Sequence, residues 1–429
     1  MQSESTGNTP NQTVSKTAQN LIGSEIIKLA GEIKEKIKLG EKIHNFTIGD
    51  FDPAIFPIPE ELKEEIIKAY QANETNYPEA NGMLELRKAV SDYLKFYGDL
   101  DYSADQILIS GGARPLIYAI YQTFIDAGES VLFPVPSWNN NHYTYLSQAN
   151  AIAVETKSEN NFMPTAAELA PYIHEASLVS LCSPLNPTGT VFTKTNLEEI
   201  CDLILLENKR RGLNQKPVYL MYDQIYWTLT FGEISHYNPV ILRPEMRDYT
   251  VFVDGISKSF AATGVRVGWS FGPAFFIDKM KAILSHIGAW APKAEQIATA
   301  KYLSNHTATS QFIDSMRSRI EKRLLKFHQG FQLLKSEGFM VDSVAPQGAI
   351  YLTVKFALHN KTTSDSQTLK STKDVTKYLL EEAKLALVPF YAFGASPESE
   401  WYRLSVGTCD YSEIDSVLEL LKNALQKLN

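Results

Sequence analysis

Residues 251–270 read VFVDGISKSFAATGVRVGWS. Val251–Val253 form a β-branched apolar run that breaks at Asp254-Gly255, and a second apolar run follows Arg266 and ends at Ser270. Short continuous apolar runs bounded by turn residues read as buried strands. Lys258 and Arg266 stand eight residues apart in the loop between them. Upstream, short apolar runs alternate with helical stretches. QILIS (106–110) precedes PLIYAIYQTFIDA, SVLFPV (130–135) precedes NNHYTYLSQA, and LVSLCS (178–183) precedes TNLEEICDLILLENKRRG. PVYLMYD (217–223), TVFVDG (250–255) and VGWSFG continue the series. This alternation predicts an α/β fold, a mostly parallel sheet with helices on both faces. A long helix is expected from about 308 to 337, and a shorter one over 24–39, started by Ser24 and stopped by Gly40.

The chain has 429 residues, enough for two domains and a sizeable core. Acidic residues number 49 against 41 basic, a net charge of -8 that argues against a nucleic-acid surface. Cys182, Cys201 and Cys409 are odd in number and lack metal spacing, which predicts a reducing compartment, no disulfide framework and no metal site. Residues 1–20 are polar and read as a mobile tail. No apolar run approaches the ~20 residues that span a bilayer, so no membrane partner is expected.

Ligands of open α/β sheets bind beyond the carboxyl ends of the strands. The first strand is followed by Gly111-Gly112-Ala113-Arg114-Pro115 and the second by Pro136-Ser137-Trp138. The third leads into Ser183-Pro184-Leu185-Asn186-Pro187-Thr188-Gly189. The fourth ends at Asp223 with Tyr226 beyond it, and the fifth leads to Ser257-Lys258. Taken singly, each has a plain structural reading: a turn, a packed ring, a helix cap, a solvated lysine. Together they place a phosphate-suited loop, an aromatic ring, an amide, a carboxylate, a phenol and a lysine on one edge. G-x-G-x-x-G and G-x-x-x-x-G-K-[ST] are both absent, which removes the main support for dinucleotide and P-loop readings. Pyridoxal 5′-phosphate suits the set: it asks for a Schiff-base lysine, a carboxylate at its pyridinium nitrogen and phosphate contacts.

These residues resemble the class I/II aminotransferases, the fold-type I pyridoxal-phosphate enzymes related to aspartate aminotransferase. The likeness runs from about Ile43 to the C-terminus. It rests on NYPEANGMLELRKAV, ISGGARPL, PVPSW, SPLNPTG, YDQIYW, SKSFAATGVRVGW, VPFYAFG and YRLSVG in that order. It implies a large domain, about 76–318, with a seven-stranded, mostly parallel sheet between helices. A smaller α+β domain would join 21–75 to 319–429. It also implies a homodimer, cytoplasmic, that transfers an amino group from an L-amino acid to a 2-oxo acid.

The resemblance makes Lys258 the Schiff-base lysine and Arg266 the cation at the cofactor phosphate, where a guanidinium fork suits the ligand. Asp223 would pair with the pyridinium nitrogen, Tyr226 and Asn186 with the phenolic oxygen, and Trp138 would stack on the ring. Gly112, Ala113 and Arg114 would cradle the phosphate at a helix start, with Ser257 as a further contact. Arg403 and Asn186 would meet the substrate α-carboxylate, and Gly49 would leave room for substrate. Tyr77 would be lent to the neighbouring subunit's phosphate site. Three departures stand out. Gly255 replaces a phosphate-binding serine. Phe390 replaces a glycine, which predicts a narrower substrate mouth. GAWAPKAEQ (288–296) lacks the arginine that reads a dicarboxylate in one subgroup. Trp138, Trp290, Phe390 and Tyr391 then suggest a neutral or aromatic amino donor, with Arg114 as the extra cation for an acidic 2-oxo acid. Competing readings are a C–S lyase or decarboxylase on the same fold, and a non-catalytic regulatory relative, whose winged-helix domain residues 1–20 are too few to form.

Overall fold

The computed structural model describes residues 14–21, 23 and 25–429. Seven strands form its main sheet: β1 (Ile107–Ser110), β2 (Ser130–Val135), β3 (Asn150–Glu155), β4 (Ala176–Cys182), β5 (Tyr219–Asp223), β6 (Thr250–Gly255) and β7 (Gly268–Phe271). Their order across the sheet is β1-β7-β6-β5-β4-β2-β3. All pairings are parallel except those of β7, which runs antiparallel to β1 and β6. A parallel return needs a crossover of a dozen or more residues, usually helical. Between β6 and β7 the chain forms only the one-turn helix Ile256–Ser259 and a loop, so it comes back antiparallel.

Six of the strands follow the apolar runs of the sequence. β3 does not: NAIAVE lies at the sheet edge with most of its residues exposed, so no buried run marks it. The helices Ala113–Phe124, Lys194–Arg211 and His306–Ser336 occupy the expected stretches. Helix Glu25–Lys38 ends before Gly40, at φ +91°, while Ser24 lies outside the described residues.

A second, antiparallel sheet holds β8 (Val341–Ser343), β9 (Tyr351–Phe356), β10 (Val388–Pro389) and β11 (Trp401–Ser405) in the order β10-β11-β9-β8. His44–Asn45 pairs in parallel with Leu385–Ala386 beside it. One core gathers around the main sheet, with Leu181, Tyr222, Phe252 and Trp269 fully buried. Another joins the second sheet to the long helix through Phe46, Phe327, Tyr351 and Tyr402. Helix Glu60–Gln71, which a boundary at 75 assigns to the smaller domain, buries Leu62 in the main-sheet core. Of the tail expected over 1–20, residues 1–13 lie outside the described residues. Lys16–Asn20 form one helical turn whose Lys16 and Thr17 carbonyls accept from the Tyr145 hydroxyl. No helix among the described residues is long and apolar enough to cross a membrane.

Candidate active site

A cavity of about 590 Å³ opens at the carboxyl ends of the central strands. Ser180 and Cys182 of β4 and Met221 and Asp223 of β5 form its floor, while Tyr351 of β9 and Arg403 of β11 reach in from the second sheet. The site therefore exists only where the two sheets meet.

Lys258 sits on the one-turn helix after β6 and donates through Nζ to the Gly49 carbonyl at 2.6 Å. Burial lowers its pKa to about 8; Arg403, Arg114 and Arg266 act in the same direction and Asp50 opposes them. Asp223 ends β5, and its Oδ1 accepts from the Ile225 N–H at 3.0 Å. Burial raises its pKa to about 6, and no cationic side chain is bonded to it among the described residues.

Beyond β1, Gly112 caps helix Ala113–Phe124 at φ +96°. A Cβ there would lie 2.2 Å from Arg266 Nη2, so only glycine fits under the guanidinium. Arg266 is held by two carbonyls, Thr263 at 2.8 Å and Gly111 at 2.7 Å. Helix start and guanidinium thus form one anion-suited corner. Gly255 has a separate reason: a Cβ would meet the Gly268 Cα at 2.8 Å across the β6–β7 pair, so backbone closes this position to a serine. Ser257 lines the cavity two residues on.

Arg403 is 2% exposed. It donates from Nη1 to Asn186 Oδ1 at 3.0 Å and from Nη2 to the Thr47 carbonyl at 2.6 Å, while Nε has no partner among the described residues. Its guanidinium lies 4.6 Å from the Tyr351 ring centroid. The Tyr351 and Tyr226 hydroxyls are 2.6 Å apart, and burial pushes the Tyr226 phenol well above its usual range. A Cβ on Gly49 would sit 2.8 Å from the Tyr351 hydroxyl. Arg114 stacks over Trp138 with its Cζ 4.7 Å from the ring centroid. The turn carrying Trp138 is propped by Asn140, which donates to Ser137 Oγ and accepts from Ser180 and Tyr121.

Gly49, Ala113, Arg114, Trp138, Asn186, Asp223, Tyr226, Ser257, Lys258, Arg266 and Arg403 all line this cavity, and Gly112 lies directly behind Arg266. Tyr77 does not: it is 82% exposed and stands edge-on to Trp290, ring centroids 5.2 Å apart. The narrowed mouth expected from Phe390 is corrected. Phe390 is fully buried against Phe162 and Phe393 and does not line the cavity. Trp290 and Tyr391 do not line it either, so the expected aromatic surface reduces to Trp138. Asp50, Thr263, Asn140 and Tyr351 belong to the site but lie singly in loops, at a helix start or at a strand start, where local pattern marks no site. Asp50, adjacent to Gly49, was the one within reach of sequence reasoning.

The model of the family "Aminotransferase class I and II" matches residues 41–421. A probable aspartate/prephenate aminotransferase of Rickettsia felis is 30% identical over 387 residues, 89% of this chain and 88% of that protein. The aspartate aminotransferase of Bacillus subtilis is 27% identical over 97% of this chain and 98% of its own. Among solved structures, the aspartate aminotransferase of Rhizobium meliloti superposes with a TM-score of 0.89 at 25% identity, covering 97% of this chain and all of that one. The aromatic aminotransferase of Pyrococcus horikoshii gives 0.78 at 25% identity over 92% of this chain and 98% of its own.

Proposed function

Because this chain belongs to the class I and II aminotransferase family, with the fold type I architecture, we propose that it moves the amino group of an L-amino acid to a 2-oxo acid with pyridoxal 5′-phosphate held at Lys258. The observation that carries this reading is that two charged groups of one cavity lack charged partners. Lys258 Nζ is bonded to a backbone carbonyl, and the Asp223 carboxyl has no cationic partner among the described residues. Each lacks the group that the cofactor would bring.

When bound, the cofactor supplies a protonated ring that accepts electrons from the substrate Cα. Asp223 would pair with the ring nitrogen and hold its proton. Arg266, Ser257, Gly112 and Ala113 would hold the phosphate, and Trp138 would offer the ring a stacking face. Arg403 and Asn186 orient the substrate through its α-carboxylate, and Gly49 leaves space beside them. Tyr226, whose hydroxyl lies 2.6 Å from that of Tyr351, would donate to the cofactor's phenolic oxygen. The Lys258 amine, lowered to about 8, takes the Cα proton at Nζ and returns it near neutral pH.

The active unit is a cytoplasmic homodimer in which Tyr77 serves the partner's site, a reading supported by the exposure of Tyr77 and by three free cysteines. The large domain spans 76–318 with helix Glu60–Gln71 packed onto it, and the smaller domain holds the second sheet. An acidic 2-oxo acid as acceptor is supported by Arg114, the lining cation not assigned to cofactor or α-carboxylate, which is held over Trp138. Borohydride reduction of the yellow protein followed by peptide mapping should label Lys258; label on another lysine would refute the assignment. A lyase or decarboxylase would consume the amino acid without forming a new one from an added 2-oxo acid.

A further inference from the structure

The tripeptide Gly49-Asp50-Phe51 wraps the Lys258 amine. The Gly49 carbonyl accepts from Nζ at 2.6 Å, and Nζ lies 5.7 Å from the Phe51 ring centroid. Between them, Asp50 is fixed from two sides. Its Oδ1 accepts from the Phe51 N–H at 2.8 Å and from Thr263 Oγ1 at 2.7 Å. Thr263 belongs to the loop that joins Lys258 to Arg266, so this contact ties the segment before helix Glu60–Gln71 to the lysine's own loop. Among the described residues two carboxylates, Asp50 and Asp223, line the cavity. Asp50 directly follows Gly49, whose carbonyl accepts from the amine.

We propose that Asp50 is a positioning residue of this site, an anchored counter-charge that holds the Lys258 amine against the Gly49 carbonyl. The proposal rests on the reading of Lys258 as the reacting amine. Arg403, Arg114 and Arg266 surround the same cavity, with Asp223, Tyr226, Tyr351 and Cys182 as its other titratable groups. The three guanidiniums and burial all disfavour an ammonium there, and Asp50 works against them. Without it the amine would lose its proton at lower pH and be held less firmly. Serving as a proton acceptor near neutral pH requires a balance between these effects. Asp50 sets that balance without touching the reacting atoms.

The test measures Lys258 in cofactor-stripped protein. The rate of its modification by a small amine-reactive reagent, followed by mass spectrometry across pH, gives the midpoint of its titration. Asp50→Asn should lower that midpoint by about one pH unit or more, a roughly tenfold faster labelling below it. Asp50→Glu, which keeps the charge, should stay closer to the unsubstituted protein, as should Thr263→Val. The acid limb of kcat in the loaded enzyme should move the same way in Asp50→Asn. An unchanged or raised midpoint in Asp50→Asn overturns the proposal. Equal falls in Asp50→Asn and Thr263→Val also overturn it, because the midpoint would then follow loop packing and not charge. The labelling arm reads the coupling of Asp50 to Lys258 whether or not Lys258 carries the cofactor, whereas the borohydride mapping strikes that assignment alone.

Discussion

Arg403, on the second sheet, donates to the side-chain oxygen of Asn186, in the loop after β4, at 3.0 Å. This bond joins the two halves of the site, and no carboxylate among the described residues neutralises the guanidinium. A buried guanidinium with an unpartnered Nε is an expensive feature unless an anion arrives. Every amino acid carries an α-carboxylate, so Arg403→Ala should weaken all substrates alike. Loss of a desolvated charged contact costs about 2–5 kcal/mol, or roughly 30-fold or more in kcat/KM. Lysine should rescue poorly, because it lacks the planar fork. Steady-state kinetics on several amino acids check both; a selective loss would refute the role.

Arg114 is held over Trp138 inside the cavity without an acidic partner among the described residues. If it reads the second carboxylate of an acidic substrate, Arg114→Ala should reduce kcat/KM for 2-oxoglutarate and aspartate about tenfold or more. Phenylalanine and methionine should change little. Equal losses for all four would confine Arg114 to shaping the phosphate loop.

Asp223 makes the cofactor-free protein sensitive to pH. Its folded pKa, about 6, lies above its ordinary 3.8, so between those values the folded state binds more protons than the unfolded one. Stability from this group is therefore present below 3.8 and is lost as pH rises through about 6. Asp223→Asn should raise the Tm of the cofactor-free protein at pH 8, by an effect of roughly 1–3 kcal/mol, and leave it little changed at pH 3. The same variant should lose activity while retaining cofactor, because the phosphate contacts remain. Thermal melts at the two pH values and turnover measurements check this.

Gly255→Ser adds a hydroxyl beside the phosphate corner but should not improve phosphate binding. The new Cβ would meet the Gly268 Cα at 2.8 Å and the Val267 carbonyl at 2.9 Å. Such overpacking typically costs about 1–3 kcal/mol. Denaturant titration should show a lower midpoint with an unchanged slope.

Tyr77 is exposed beside Trp290, outside the cavity of its own chain. If it completes the partner's site, inactive Tyr77→Ala and Lys258→Ala chains should regain activity when co-expressed, because one site of the hybrid is intact. Verified hybrids that stay inactive would count against a shared site.

Six main-sheet strands and the residues that end them were legible in the sequence, because apolar runs and turn chemistry are local properties. Lys258, Asp223 and Arg266 follow from those strands, since a residue just past a strand end must lie at the sheet edge. β3 was not legible: NAIAVE gains its place only by pairing with β2, and its exposed face leaves no apolar run. Phe390 was misread for a related reason. Its sequence position placed it near the mouth, but Phe162, far along the chain, offers a buried aromatic pocket that takes the ring inward. Asp50, Thr263 and Tyr351 entered the site through contacts between segments far apart in the chain. Local pattern determined which groups reach the sheet edge; the packing of the second sheet against it decided which of them meet, because side-chain encounters at long sequence separation are set by tertiary geometry alone.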